Sequence, residues 1–217
     1  MRTFGSSMSP GQIAKLVVLV VVLIAIVIVI WPSGGDPNSS DPEQRLKAIA
    51  KLSGNADDES IQTLVDLAAD PEPNVATAAV KAIGMFPKLS PAPLRKILAR
   101  PDISPAARGE AAAAIGKCPK ASVEVTVLTE ILASKTEAPQ VRAGAARGLA
   151  RRRDKMALKE LVEALEDPDP RVRLWAITAI GRSTAFRFKF DAFAPPARQQ
   201  NEIRVIKETL RKRTTYK

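Results

Sequence analysis

The groups in this chain that could do chemistry are carboxylates, guanidinium and ammonium ions and one thiol, because histidine is absent from all 217 residues. That absence removes the commonest general base and the commonest metal ligand together. Ser-His-Asp, Cys-His and His-metal reactions go with it. Cys118 is the single cysteine, so it cannot form an intrachain disulfide, and it reads as a small buried hydrophobe. Two acidic runs could in principle hold a hard cation: Asp57, Asp58 and Glu59, and Glu166, Asp167 and Asp169. Both fall where a helix begins or ends, which makes them exposed turns. With no glycine-rich phosphate loop, clustered metal-ligand spacing or nucleophile elbow in the sequence, no catalytic residue, cofactor or metal is expected.

What remains is recognition. Arg147, Arg151, Trp175 and Arg182 are the residues chosen for partner binding, because an indole beside guanidinium groups is the composition of interface hot spots. Trp175 stands next to Ala176 and reads equally as a ring packed between helices. The run Arg151, Arg152, Arg153 and Lys155 suits a helix C-terminus as well as an anionic headgroup. Net charge is +10, and it is uneven. Arg182 to Lys217 holds 10 Lys/Arg against 3 Asp/Glu, or +7, while the remainder holds 23 against 20, or +3. Such a basic end fits an anionic surface, nucleic acid, an acidic partner or plain solvent.

The elements that must position these residues come from hydropathy and period. Apolar residues are 46% of the chain but aromatic ones only 4%, so the core must close by bringing backbones together rather than by filling space with rings. Leu16 to Trp31 reads LVVLVVVLIAIVIVIW, and with Ile13 and Ala14 about 19 residues at 1.5 Å each span roughly 28 Å, the hydrocarbon thickness of a bilayer. The run is longer than a signal-peptide core, and Trp31-Pro32 offers no small-residue cleavage site. Lys15 can snorkel at one interface and Trp31 can sit in the other. The expected organisation is a cytoplasmic segment at 1–12, a transmembrane helix at 13–31, a flexible linker at 32–41, a helical domain at 42–213 and a basic tail at 214–217. Arg2, Lys15 and the α-amine precede the span, and the first basic residue after it is Arg45. By the positive-inside rule the N-terminus is cytoplasmic and the domain faces outward, periplasmic in a diderm cell.

Past Asp41 the chain repeats itself. VATAAVKAIG begins at Val75, ARGEAAAAIG at Ala107, VRAGAARGLA at Val141 and VRLWAITAIG at Val172. Small residues recur at Ala79 and Ala82, Ala111 and Ala114, Ala145 and Gly148, and Ala176 and Ala179, each pair followed by an aliphatic: Ile83, Ile115, Leu149 or Ile180. Those offsets mark one helix face. Each such helix follows another whose stripe is Ile61, Leu64, Val65 and Ala68; Leu94, Ile97 and Leu98; Leu128, Ile131 and Leu132; or Leu158, Leu161, Val162 and Leu165. Start signals pair a side-chain acceptor with proline at Asp41-Pro42, Ser90-Pro91, Ser104-Pro105 and Asp169-Pro170. Helix pairs this short cannot bury their apolar faces singly, so the fold class is an all-α solenoid. Ala185 to Pro196, with rings at Phe186, Phe188, Phe190 and Phe193, is expected to be a non-helical cap over the open end, followed by a helix docked through Ile203, Ile206 and Leu210.

The V-R-x-x-A-x-x-A-I-G pattern, with Asp70-Pro71 and Asp167-Pro168 in the preceding turns, resembles the HEAT-like repeats of bacteria, including those named after phycobilisome lyases. The resemblance covers about residues 42 to 213. It implies a ladder of turn aspartates and early arginines between repeats, here Asp70, Asp167, Arg108, Arg142 and Arg173, incomplete because Ala76 takes one arginine place and the third unit has no turn aspartate. A solenoid presents the second helices of its pairs as a continuous surface, and by helical offset Lys81, Glu110, Lys117, Arg147, Arg151, Trp175, Thr178 and Arg182 are expected to face outward there. The function expected is a membrane-anchored, non-catalytic scaffold for a protein or peptide. The alternatives are a basic nucleic-acid-binding protein, disfavoured by the outward topology, and a lyase-type accessory subunit, suggested only by the family's name.

Overall fold

The computed structural model describes residues 34–86, 90–119 and 122–213. The expected membrane span at 13–31 and the tail at 214–217 lie outside the described residues. Among those residues there are ten α-helices and no strand, and no helix is long and apolar enough to cross a membrane.

Nine of the helices alternate between two rows. The second row is α1 (Pro42–Leu52), α3 (Pro73–Ile83), α5 (Pro105–Ile115), α7 (Pro139–Arg152) and α9 (Pro170–Thr184); the first row is α2 (Asp58–Leu67), α4 (Ala92–Leu98), α6 (Ser122–Ala133) and α8 (Leu158–Glu163). One-turn 3-10 segments at Lys155–Ala157 and Ala164–Glu166 flank α8. Each first-row helix packs on the second-row helix that follows it, while α1, α3, α5, α7 and α9 pack in succession along their own row. Every second-row helix has proline at its first position, where a missing N–H leaves no acceptor unsatisfied. Caps fix three of those starts: Asp41 accepts from Glu43 N, Ser104 from Ala107 N and Asp169 from Arg171 N. The small residues and aliphatics picked out by the repeat are buried in every unit.

The seam between α5 and α7 is closed by glycine. A Cβ on Gly144 would lie 2.1 Å from the Gly109 carbonyl oxygen, and one on Gly116 would lie 2.3 Å from that of Gly148. The two backbones touch, which is how a core with so few rings reaches density. Sequence reading counted four helix pairs. α1 is a fifth second-row helix, with no first-row helix ahead of it among the described residues. The stretch leading into it folds back on it: Arg45 Nη1 donates to the carbonyls of Ser39 and Ser40 at 2.8 and 3.0 Å.

That extra helix changes the ladder. Counting from the first-position proline, the fourth helical residue is Arg45, Ala76, Arg108, Arg142 and Arg173 in successive units. Arg142 donates to Asp167 through Nε and Nη2 at 2.9 and 3.0 Å, as the resemblance implied. Asp70, however, is held by Arg45 at 2.6 and 2.9 Å, an arginine the repeat alignment did not reach. Arg108 pairs with Glu137 at 2.6 Å, so a glutamate supplies the third unit's missing acid. Arg173 has no carboxylate and donates instead to the carbonyls of Ala192, Asp167 and Pro168. The Ala76 place has no rung, and Asp102 in the following turn is taken by Arg100 at 2.6 Å. The Arg142 and Asp167 side chains are only 6% and 2% exposed, and breaking a pair so buried by removing one partner costs about 3–5 kcal/mol.

Residues 185–195 form the expected non-helical cap, entered through Ala185 in the left-handed region at φ 62°. Phe186, Phe188 and Phe190 pack against the core, the first two edge-to-face at 6.1 Å. Phe193 does not: it is 65% exposed, and the small side chains Ala192 and Ala194 are buried in its stead. The turn that lets Arg173 reach Ala192 O directs Ala192 inward. α10 (Pro196–Arg213) closes the domain on Ile203, Ile206 and Leu210, with Lys207 reaching Glu166 at 2.7 Å.

Candidate interaction surface

The two acidic runs are accounted for by structure. Asp57 caps α2 by accepting from Ser60 N at 2.7 Å, and that hydrogen bond holds its carboxyl below the usual range. Asp167 belongs to Arg142 and Asp169 caps α9. Among the described residues no three His, Cys, Asp or Glu side chains cluster as a metal site. Cys118 is buried, and burial pushes its thiol up.

A second-row helix buries one face against the first row and turns the other to solvent. On that outer face the residues 1, 5, 8 and 12 positions past the proline fall in line, since steps of four, three and four keep to one side of a helix. Position five is Glu110 in α5 and Trp175 in α9; position eight is Lys81, Arg147 and Thr178; position twelve is Lys117, Arg151 and Arg182. All eight residues expected to face outward are therefore on this stripe.

Two grooves lie along it. The first, about 260 Å³, runs over α5, α7 and α9 and is lined by Thr77, Gly109, Glu110, Gln140, Gly144, Arg147, Arg171, Leu174 and Trp175, among others. Gly109 and Gly144 lie in its lining, where the backbones of α5 and α7 touch. Arg147 crosses it. Its guanidinium meets Glu110 at 2.8 Å on one side and lies 5.9 Å from the centre of the Trp175 ring on the other. Trp175 is half-buried, touching the core along one edge while lining the groove. Its ring packs on the core and remains open to the groove.

The second groove adjoins the first at Glu110 and is lined by Lys81, Gly84, Met85, Ala114, Lys117 and Arg151. Lys117 donates to Gly84 O at 2.7 Å and Arg151 to Ala113 O at 2.8 Å, each reaching back to the end of the preceding second-row helix. Both cations are pushed down, first by burial and then by neighbouring cations, Lys117 by Arg151 and Arg147 and Arg151 by Arg147 and Arg182; Glu110 opposes this in each case. The reach of Arg151 under Ala113 desolvates its head although the residue as a whole is exposed. Arg182 lines neither groove and is exposed.

The structure thus brings Arg147 and Trp175 into contact, sets Arg151 beside Lys117, and leaves Arg182 at the rim. The basic run at the end of α7 is divided: Arg152 is buried, and Arg153 is the left-handed residue at φ 55° that ends the helix. Gln140, Gly144, Arg171, Leu174 and Met85 were not foreseen as lining residues. The offset from proline locates Gln140, Gly144, Arg171 and Met85, while the exposure of Leu174 left no mark in the sequence.

A family model described as HEAT repeats matches residues 37–116 and 125–187. Solved structures are similar at low identity. One is the crystal structure of an engineered protein, 17% identical, covering 82% of this chain and 94% of that chain, with a TM-score of 0.43. Another is described as computationally designed armadillo repeat proteins for modular peptide recognition, 21% identical over 69% of this chain and 80% of that chain, TM-score 0.37. A third is a designed armadillo repeat protein in complex with the peptide (KR)4, 18% identical over 77% and 83%, TM-score 0.39. No curated protein matches the chain.

Proposed function

Because the chain belongs to the HEAT repeat family, we propose that it is a membrane-tethered, non-catalytic scaffold that holds a protein or peptide partner on the outer face of its second-row helices. The observation that carries this reading is the groove over α5, α7 and α9, with Arg147 set between Glu110 and Trp175. A volume near 260 Å³ is below the roughly 300–1,000 Å³ of small-molecule sites, and it suits one or two side chains of a larger ligand. The groove itself, a half-buried indole and oriented cations supply shape, apolar area and charge, the three things a peptide anchor needs.

The tether is the apolar run from Leu16 to Trp31. With Arg2 and Lys15 ahead of it, the N-terminus is cytoplasmic and the repeats face outward in this proposal. Within the family the V-R-x-x-A-x-x-A-I-G pattern favours the phycobilisome-lyase type, to which we attach no lyase chemistry. Two measurements test the reading. A photo-crosslinking residue in place of Trp175, irradiated in intact membranes, should capture one defined partner, whereas the same residue in place of Lys159 on α8 should not; equal capture from both rejects the surface. Ser39→Cys should react with an impermeant thiol reagent in intact cells, and protection there reverses the topology.

A further inference from the structure

The chemistry of the segment held on this surface is written in position twelve. Lys117, Arg151 and Arg182 occupy that place in three consecutive units, at the C-terminal ends of α5, α7 and α9, which pack side by side. Two of the three are fixed from behind, Lys117 by Gly84 O and Arg151 by Ala113 O. Each anchor uses a single donor, so the ammonium retains two N–H groups and the guanidinium four. The entropy of ordering those side chains is lost on folding rather than on binding. Among the described residues no carboxylate forms an ion pair with Lys117, Arg151 or Arg182, and Glu110, the only acid lining the two grooves, is engaged by Arg147 at 2.8 Å. The row is positive charge without an ion pair of its own, and after burial the neighbouring cations add to the downward displacement of Lys117 and Arg151.

We propose that this row binds an extended acidic peptide carrying a carboxylate at every third residue, laid across α5, α7 and α9. The inference rests on the scaffold reading above and gives its ligand a chemistry. Pitch decides the register. Packed helix axes lie about 8–10 Å apart, and a polyproline II segment brings the same face round every three residues at about 9.3 Å. A β-strand points its third residue to the opposite side and cannot match. A nucleic acid strand is the poorer fit. Its phosphates recur on a finer spacing, about 3.4 Å of rise per nucleotide in a duplex strand, and single strands bind on exposed rings. The one ring on this stripe, Trp175, is covered by Arg147.

The test uses the full chain in neutral detergent and a fluorescein-labelled peptide of four Glu-Pro-Pro repeats, read by anisotropy against a block isomer in which the four glutamates are consecutive. The repeat peptide should bind several-fold more tightly than the isomer. Arg182→Gln should weaken it about fivefold, the upper end for one exposed ion pair. Arg182 holds no hydrogen bond that the fold depends on, so the variant should melt like the parent. Lys117→Gln serves as the second variant, with a loss at least as large. Equal binding of the two isomers, unchanged binding by both variants, or tighter binding of oligothymidylate than of either peptide overturns the proposal. Capture of a defined partner through position 175 together with no binding of the repeat peptide ends this inference and leaves the scaffold standing; failure of both ends both.

Discussion

Replacing Gly144 by alanine tests how the repeats close. The new methyl would sit 2.1 Å from the Gly109 carbonyl oxygen and 2.7 and 2.8 Å from the Gly109 carbonyl carbon and Cα. All three atoms are backbone, so no rotamer change relieves the contact, and α5 and α7 must separate by about 1 Å to restore a normal van der Waals distance. A gap of that size forfeits a quarter to a half of each dispersion contact along the seam. Overpacking of this kind costs about 1–3 kcal/mol, and backbone on both sides puts Gly144→Ala at the upper end. Alanine's better helix propensity returns about 1 kcal/mol. The net loss of about 2 kcal/mol corresponds to a Tm lowered by about 4–8 °C in a domain of this size. Gly181→Ala in α9 is the control, because its methyl would meet only the Phe186 carbonyl oxygen, at 3.2 Å, and the cap can give by the few tenths required. Thermal melting followed by circular dichroism reads both. Gly144→Ala melting at or above the parent refutes the closed-backbone account of this core.

Four further outcomes follow from the same geometry. Arg142→Ala should lower stability by about 3–5 kcal/mol by stranding Asp167, while exchanging both partners for apolar residues of similar volume should recover most of it, as a double-mutant cycle in urea would show. Arg153→Gly should raise stability by about 1 kcal/mol, because φ 55° strains any residue with a Cβ; an unchanged urea midpoint speaks against that strain. Trp175→Ala should weaken partner capture by about two- to fivefold through loss of the Arg147 contact, read as crosslinking yield from a photo-crosslinking residue in place of Leu174, in chains with and without the substitution. Cys118 is pushed up by burial, so its contribution to stability is complete below the ordinary thiol value, about 8.5, and is lost as pH rises through the higher folded value. Its reaction with a disulfide reagent at pH 8 should be slow in the folded chain and fast in denaturant.

The period of alanine and aliphatic residues announced the solenoid because burial in a helix repeats on a fixed angle, and no other arrangement explains Ala79, Ala111, Ala145 and Ala176 at one offset. It stopped short of α1 because PEQRLKAIAKL lacks the small-small-aliphatic signature; its membership shows in the proline and in Arg45 three residues on, a signal carried by polar positions. The ladder was half legible for the same reason. Arg142 and Asp167 match a pattern, but the partners of Asp70 and Arg108 depend on which helices stack, and only contact across 25 and 29 residues reveals Arg45 and Glu137. The outward stripe was readable from helical offset alone, since the side opposite a buried face must be solvent. The grooves were not, because the first is lined by two glycines whose backbones meet across adjacent helices, and a glycine in a sequence does not say what it faces. Lys117, Arg151 and Arg182 look unrelated along the chain, and stacking brings them to equal stations on adjacent helices. Cations so placed repel one another, a penalty the isolated domain bears without benefit, and an acidic ligand of matching pitch is what would relieve it.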